Sequence, residues 1–273
     1  MIEEPANELT VRIATVLGVD EEKAAAIIRA FVRFVVEPLQ RKFTDLTAHA
    51  LAQRNPFVYA VLGASDIETW VPRAASDILT SSAEGVVGNW LEEVARIVSG
   101  GFKPGSGVDL QRELPDGTIE LYAIQSTTNT KNAGGRRSDV AGLKAAAGAL
   151  RAQRRHVDLY IGYLFRRKRT TVKDSVTRLA TKEFWEKMTG DPSFLSRLLH
   201  TSALLGDTYR LQSVGIAGAP RLIAEAKELF GDGEGGIDRE KVLYAPKPPQ
   251  PRPAATKRPR ARRSGTAETP PRQ

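Results

Sequence analysis

The feature of this sequence that most constrains its fold is a predicted β-hairpin at residues 107–126, GVDLQRELPDGTIELYAIQS. Two short strands flank Leu114-Pro115-Asp116-Gly117, which suits a type I turn with Gly117 in the left-handed conformation. A two-residue loop would instead place Asp109 opposite Ile124, and it would put Pro115 where a positive φ or a ladder N–H is required, neither of which proline can supply. We therefore predict a three-residue loop with a bulge, and a fold that contains a sheet.

The turn also sets the predicted register of the two strands. Arg112 faces Glu120 as a cross-strand ion pair on one side of the hairpin. Asp109 faces Ala123 on the other side, with Gln125 as its diagonal neighbour. An acid and an amide therefore converge near the end of the second strand, and Glu120 is left out of their site.

Helical patterns surround the hairpin. Apolar residues recur at helical spacing over 20–43 and again over 81–99, where Ser81 and Glu84 form a predicted capping box. A third helix is predicted over 138–155 and an alternating strand over 157–165, with helices and loops beyond. This order of elements predicts a fold of the α/β (α+β) class.

The composition limits the chemistry that the chain can carry. It has no cysteine and three histidines, which excludes disulfides, a thiolate nucleophile and cysteine-based zinc sites. The first residues lack the pattern of a signal peptide, and no apolar run approaches the roughly 20 residues that span a bilayer. We expect a cytoplasmic protein with no membrane partner.

Most of the net charge of +8 lies in residues 246–273. Eight basic residues there face one acid, Glu268, so the rest of the chain is close to neutral. Because this segment is rich in proline and poor in apolar residues, it is predicted to be a disordered basic tail. Such a tail can hold a polyanion without sequence preference through counterion release, or it can be a solubilising extension.

An acid and a second polar side chain at the end of a strand pair are what a metal-dependent phosphodiesterase needs. A carboxylate holds Mg²⁺ against a phosphate oxygen, and a neighbouring polar or cationic group orients the attacking water. The preceding GGFKPGSG lacks the Gly-Lys-Ser/Thr ending of a phosphate-binding loop. We interpret it as a place where backbone and DNA approach each other closely.

Several segments resemble type II restriction endonucleases with the PD-(D/E)XK nuclease fold, in particular the PmeII-like group. They are NPFVYAVLG, SSAEGVVGNWLEEVA, GVDL, YAIQSTTNTKN and EFWEKMTGD, and together they span roughly residues 55–210. The resemblance implies a nuclease core with a mixed sheet flanked by helices. We place the nuclease domain at 55–245, between a helical region at 1–54 that the apolar spacing predicts and the tail at 246–273 that the composition predicts.

Residue by residue, the resemblance implies that Asp109 is the metal-binding aspartate. Ala123 occupies the place of the second acid and Gln125 that of the lysine, so these two positions depart from the family pattern. Glu84 or Glu92 of the preceding helix is a candidate for the missing carboxylate. Glu84 ranks first because it lies at the edge of the apolar stripe, whereas Glu92 lies well outside it.

Each of these residues also has a purely structural interpretation. Asp109 can be an ordinary turn acid, Glu84 can act only in the capping box, and Gln125 can hydrogen-bond a neighbouring loop. Lys103 and Lys131, which flank the hairpin, are candidates for the cation that Gln125 lacks or for plain phosphate contacts.

Short hydrogen-bond donors and arginines follow the second strand, and this combination is what contacts to phosphates and base edges require. The predicted DNA-binding residues are Lys103, Ser126, Thr127, Asn129, Lys131, Asn132, Arg136 and Arg137.

These observations together predict a Mg²⁺-dependent endonuclease that cuts both strands of double-stranded DNA at a specific palindromic site. A homodimer is expected because its two-fold axis matches that of such a site, and the family implies a cognate DNA methyltransferase. Two alternatives stay open. One is a nuclease-fold protein that binds DNA without cutting it, and the other is a helical protein-interaction module whose tail alone binds nucleic acid.

Overall fold

The structure is a computed structural model that describes residues 7–105, 107–126, 133–211 and 218–246. The predicted basic tail and most of the polar run after the hairpin lie outside the described residues. The helices are α1 (Asn7–Leu17), α2 (Glu21–Phe31), α3 (Glu37–Thr44), α4 (Ala48–Ala52), α5 (Pro56–Val61), α6 (Ile67–Ser99), α7 (Ala133–Ala152), α8 (Thr181–Thr189), α9 (Phe194–Thr208), α10 (Ala219–Phe230) and α11 (Arg239–Leu243). A π-helical turn, Val32–Val36, joins α2 to α3, so the predicted helix over 20–43 is confirmed.

The long helix α6 begins earlier than the sequence pattern predicts. Asp66 caps it by accepting a hydrogen bond from the Thr69 N–H at 2.8 Å, and 33 helical residues follow. The capping box predicted at Ser81 is therefore wrong, because Ser81 lies inside the helix and its hydroxyl donates to the Asp77 carbonyl. The predicted end at 99 is confirmed, with Gly100 at φ +68° as the left-handed cap.

The sheet has the strands β1 (Leu110–Glu113), β2 (Ile119–Gln125), β3 (Val157–Tyr163), β4 (Thr171–Lys173) and β5 (Val176–Arg178), in the order β1-β2-β3-β5-β4. Strand β2 is antiparallel to β1 and parallel to β3, while β5 is parallel to β3 and antiparallel to β4. This mixed sheet flanked by helices confirms the predicted fold class. The sequence analysis missed β4 and β5, since three-residue strands are too short to show an alternating pattern.

The predicted hairpin register is confirmed over residues 110–113 and 119–122. Arg112 pairs with Glu120, and Leu110 pairs with Tyr122. The Leu114 N–H donates to the Thr118 carbonyl at 2.8 Å, and Gly117 has φ +81°. The residues of the turn were sufficient to predict this register, because proline fixes its own φ angle and glycine permits the positive φ that the loop requires.

Strand β2 is buried on both faces. Residues on one face, including Leu121 and Ala123, pack with Leu143 of α7. Residues on the other face, including Tyr122, pack with Trp90 of α6 and with α8. Among the described residues, no helix is long and apolar enough to cross a membrane.

Candidate active site

Asp109 lies immediately before β1 and is held by a β-bulge. Its N–H donates to the Tyr122 carbonyl at 2.8 Å, although the register partner of Tyr122 is Leu110. Two residues of the first strand thus face one residue of the second, so the predicted pairing of Asp109 with Ala123 is wrong. Such bulges often redirect a side chain at a functional site. The Asp109 Oδ2 atom accepts a hydrogen bond from the Ile124 N–H at 2.8 Å. The carboxylate therefore takes the place of a backbone carbonyl at the end of the ladder.

Lys103 stands beside this carboxylate. Its Nζ atom lies 3.6 Å from Asp109 Oδ1, and its side chain is 56% exposed. The loop that carries it is tied to β1, because Phe102 and Gln111 exchange backbone hydrogen bonds of 2.9 and 2.8 Å. Of the two lysines predicted to flank the site, Lys103 contacts Asp109, while Lys131 lies outside the described residues.

Gln125 ends β2 and follows directly after the residue that binds Asp109. It is 2% exposed, and its Nε2 atom donates to Asp139 Oδ2 of α7 at 2.7 Å. Asp109 and Gln125 thus lie near each other, because Asp109 binds the N–H of the residue that precedes Gln125. Each side chain has its own hydrogen-bond partner, which is Ile124 for Asp109 and Asp139 for Gln125. The predicted alternative, a hydrogen bond from Gln125 to a neighbouring loop, is replaced by this bond to a helix.

Asp139 is the residue that sequence reasoning missed. The pattern marked it only as part of a helix start at 138, whereas α7 begins at Ala133 and Asp139 lies within it, half-buried. The available signal was its spacing, because Asp139 lies four and eight residues before the buried Leu143 and Ala147. An acid on the buried stripe of a helix needs a polar partner, and Gln125 provides one.

The glycine-rich loop before Asp109 packs against α7. A side chain at Gly142 would place its Cβ atom 2.9 Å from Gly107 Cα, and Gly107 has φ +82°. The close backbone approach that the sequence predicted for DNA is thus made at Gly107 by a helix of the same chain. This contact sets the distance between α7 and the segment that leads to Asp109.

Helix α6 passes the end of β2 at Gly88. A Cβ atom there would lie 3.0 Å from Ser126 Oγ, so Ser126 fills the space beside the glycine. Glu84 and Glu92 lie about one turn to either side of Gly88. Glu84 is exposed and Glu92 is half-buried, which is the reverse of the predicted order of burial. Among the described residues, no three acids or histidines lie close enough together to hold a metal ion.

A basic groove of about 700 Å³ lies between α7 and the β4–β5 hairpin. The predicted DNA-binding residues Arg136 and Arg137 line it. Its other charged lining residues are Lys144, Lys173, Asp174 and Arg178. Five cations against one acid favour an anionic partner. The predicted contacts at Thr127, Asn129 and Asn132 lie outside the described residues.

Glu120, at the other end of β2, is fully buried in a cluster of donors. The predicted pair with Arg112 is confirmed at 2.5 Å, and the Tyr122 hydroxyl donates to Glu120 at 2.7 Å. Lys187 of α8, which the sequence did not reveal, lies 2.6 Å from Oε1 as an ion pair. Burial alone would raise the pKa of Glu120, but these three donors outweigh it and lower that pKa.

The comparisons with known proteins agree with this architecture. The family model described as "Type II restriction endonuclease EcoO109I" matches residues 27–204, which is more than half of the chain and includes the hairpin, α7 and the sheet. A search of the curated proteins gave no match. The family match supports the type II restriction endonucleases in general and does not single out the PmeII-like group. The chain belongs to the EcoO109I family of type II restriction endonucleases.

Proposed function

We propose that this chain is a Mg²⁺-dependent type II restriction endonuclease that cuts both strands of double-stranded DNA at a specific palindromic sequence. Membership of the family supports the restriction activity. The observation that carries the metal dependence is Asp109, whose carboxylate is fixed by the Ile124 N–H and stands beside Lys103. The finer placement in the PmeII-like group rests on the resemblance of short segments alone.

The donors at the end of β2 fit a divalent cation. Asp109 would hold the ion through a hard carboxylate oxygen, the ligand type that Mg²⁺ prefers. Glu84 and Glu92 of α6 are the acids that the sequence offers as a second ligand. When bound, Mg²⁺ supplies charge stabilisation to the phosphate at the scissile bond. Lys103 would add positive charge to the same phosphate.

The basic groove is proposed to bind the DNA backbone. Arg136 and Arg137 extend from α7, while Lys173 and Arg178 approach from the β4–β5 hairpin. Contacts of this kind fix the orientation of the duplex but carry no sequence information. Base readout is proposed for the polar residues Ser126, Thr127, Asn129 and Asn132, which follow the strand that carries the site.

A homodimer is proposed because a palindromic site has a two-fold axis that a symmetric dimer matches. A cognate DNA methyltransferase is the proposed partner in the restriction system.

A second candidate function is supported by Ala123. This residue has no polar atom and is 2% exposed, so β2 itself supplies no second carboxylate. A family member that cannot complete its metal shell would bind DNA without cutting it.

The test is incubation of the full chain with a plasmid and with a mixture of random duplexes, with Mg²⁺ and with EDTA. Discrete, Mg²⁺-dependent fragments support the enzyme. A gel shift without cutting supports the DNA-binding alternative. A shift that disappears when residues 247–273 are removed would leave only the tail as the nucleic-acid-binding part, and both nuclease-fold proposals would fail.

A further inference from the structure

A second carboxylate reaches the end of β2 from α7. Asp139 Oδ2 accepts a hydrogen bond of 2.7 Å from Gln125 Nε2. The nitrogen of the amide must face Asp139, since a carboxylate is an acceptor and the amide donors are on nitrogen. Gln125 therefore holds the Asp139 carboxylate in one place beside the strand.

The face of α7 that carries Asp139 also lies over the segment that leads to Asp109. Gly142, three residues further along the helix, contacts Gly107. Leu143, four residues further along, is buried in one cluster with Val108 and Ala123. Because residues three and four apart share a helix face, Asp139 faces the same part of the sheet as these contacts.

An independent observation points to a ligand at this position. The Gln125 Oε1 atom is buried and has no hydrogen-bond partner in the part of the chain that the structure describes. An unsatisfied buried polar atom costs about 1 to 3 kcal/mol, so native proteins rarely keep one without a purpose. A neutral amide oxygen is a common ligand for hard cations.

We infer that Asp139 is the second metal-binding carboxylate of this site, positioned by Gln125, whose amide oxygen is a third ligand beside Asp109. This inference rests on the proposed function. The strand position Ala123 carries no acid, and Asp139 supplies it from the helix that packs over that strand. Lys103 supplies a cation beside Asp109. The acid and the cation that Ala123 and Gln125 do not provide thus come from α7 and from the loop before β1.

The experiment titrates the full-length protein with Mn²⁺ and follows the electron paramagnetic resonance signal of the free ion. We expect Asp139→Asn to weaken Mn²⁺ binding at least about tenfold, while it keeps an oxygen that can accept from Gln125. Glu84→Gln and Glu92→Gln test the competing second ligands on α6, and each also removes one negative charge. Asp207→Asn is the matched control, because it removes one negative charge from an exposed position of α9 that carries no candidate ligand. It is expected to bind Mn²⁺ within about threefold of the wild type.

Asp109→Asn separates this inference from the proposed function. If it loses Mn²⁺ binding while Asp139→Asn binds normally, the role of Asp139 is overturned and the metal dependence stands. If Glu84→Gln or Glu92→Gln is the variant that loses binding, the second ligand is on α6 and the inference also fails. If the wild type binds no Mn²⁺, both proposals fail. Thermal unfolding without metal checks that each variant is folded.

Discussion

The two ends of β2 each carry a buried polar side chain, and the two side chains differ in the partners that surround them. Glu120, at the start of the strand, is surrounded by Arg112, Tyr122 and Lys187. The Oε1 atom of Glu120 forms an ion pair with Lys187, although the angle of this contact is not that of a hydrogen bond. Gln125, at the end, has Asp139 on its nitrogen and, within the described chain, no partner on its oxygen.

We interpret the difference as that between a structural polar cluster and a candidate binding site. A buried charge whose partners are all present contributes to a single, rigid native state. A buried polar atom that lacks a partner costs stability, and such costs are concentrated at sites that bind something else. One strand thus provides both a reference cluster and a candidate site in the same sheet.

The largest expected effect comes from Asp109→Asn. This variant keeps an oxygen that can accept from the Ile124 N–H but removes the charge that a hard cation requires. We expect cleavage to fall at least about a thousandfold, or about 4 kcal/mol of transition-state stabilisation. DNA binding should stay within about tenfold, because a metal ligand is lost and not a phosphate contact. Cleavage of a plasmid and a gel shift measure the two quantities, and near wild-type cleavage would contradict the assignment of Asp109.

Glu120→Gln should instead lower the free energy of unfolding, by about 3 kcal/mol, because it breaks a buried ion pair from one side. Denaturant unfolding measures this loss. Metal binding and cleavage at temperatures where the variant is folded should be unchanged. A variant that stays as stable as the wild type but loses cleavage would reverse the comparison between the two ends of β2.

The pH dependence of that loss sharpens the test. Because the pKa of Glu120 is lowered from 4.5 on folding, its contribution is present above that value and disappears as the pH falls through the lower folded-state pKa. Burial lowers the pKa of Lys187, but the contact with Glu120 has the larger effect and raises that pKa above 10.5. The contribution of Lys187 to stability is therefore present below pH 10.5 and is lost as the pH rises through its folded-state pKa. The stability difference between wild type and Glu120→Gln should therefore shrink in acid and in strong base.

Gln125→Met removes the polar group at the other end of β2, and it should lower cleavage rather than stability. The unfolding free energy should change by less than about 1 kcal/mol, because the lost oxygen has no partner among the described residues and only one hydrogen bond is lost with it. Cleavage should fall at least about tenfold, since Asp139 loses the donor that positions it. A large loss of stability with unchanged cleavage would make Gln125 a structural residue like Glu120.

Truncation after Pro246 should have the smallest effect on cleavage. It removes eight basic residues and one acid but keeps the backbone oxygens that accept from Gln53. We expect the same fragments from a plasmid, together with weaker non-specific binding and a shallower salt dependence. Gel shifts at several salt concentrations measure the slope, and a changed fragment pattern would show that the tail takes part in recognition.

The sequence by itself determined the local features of this protein. The register of the hairpin and the Arg112–Glu120 pair follow from the Pro115-Asp116-Gly117 turn, whereas the bulge at Asp109 does not. The left-handed end of α6 follows from Gly100. In each case the physical cause lies within a few residues, because proline and glycine restrict or release the backbone dihedral angles directly.

Only the tertiary structure decided the contacts between distant segments. Ser81 and Glu84 form a sequence that can start a helix, yet the start of α6 lies at Asp66 because residues such as Trp70 and Val71 pack into the core. Lys187 and Asp139 meet β2 because α8 and α7 pack on its opposite faces. A side chain's partner across such a contact depends on how helices dock on the sheet, and no local dihedral preference encodes that docking.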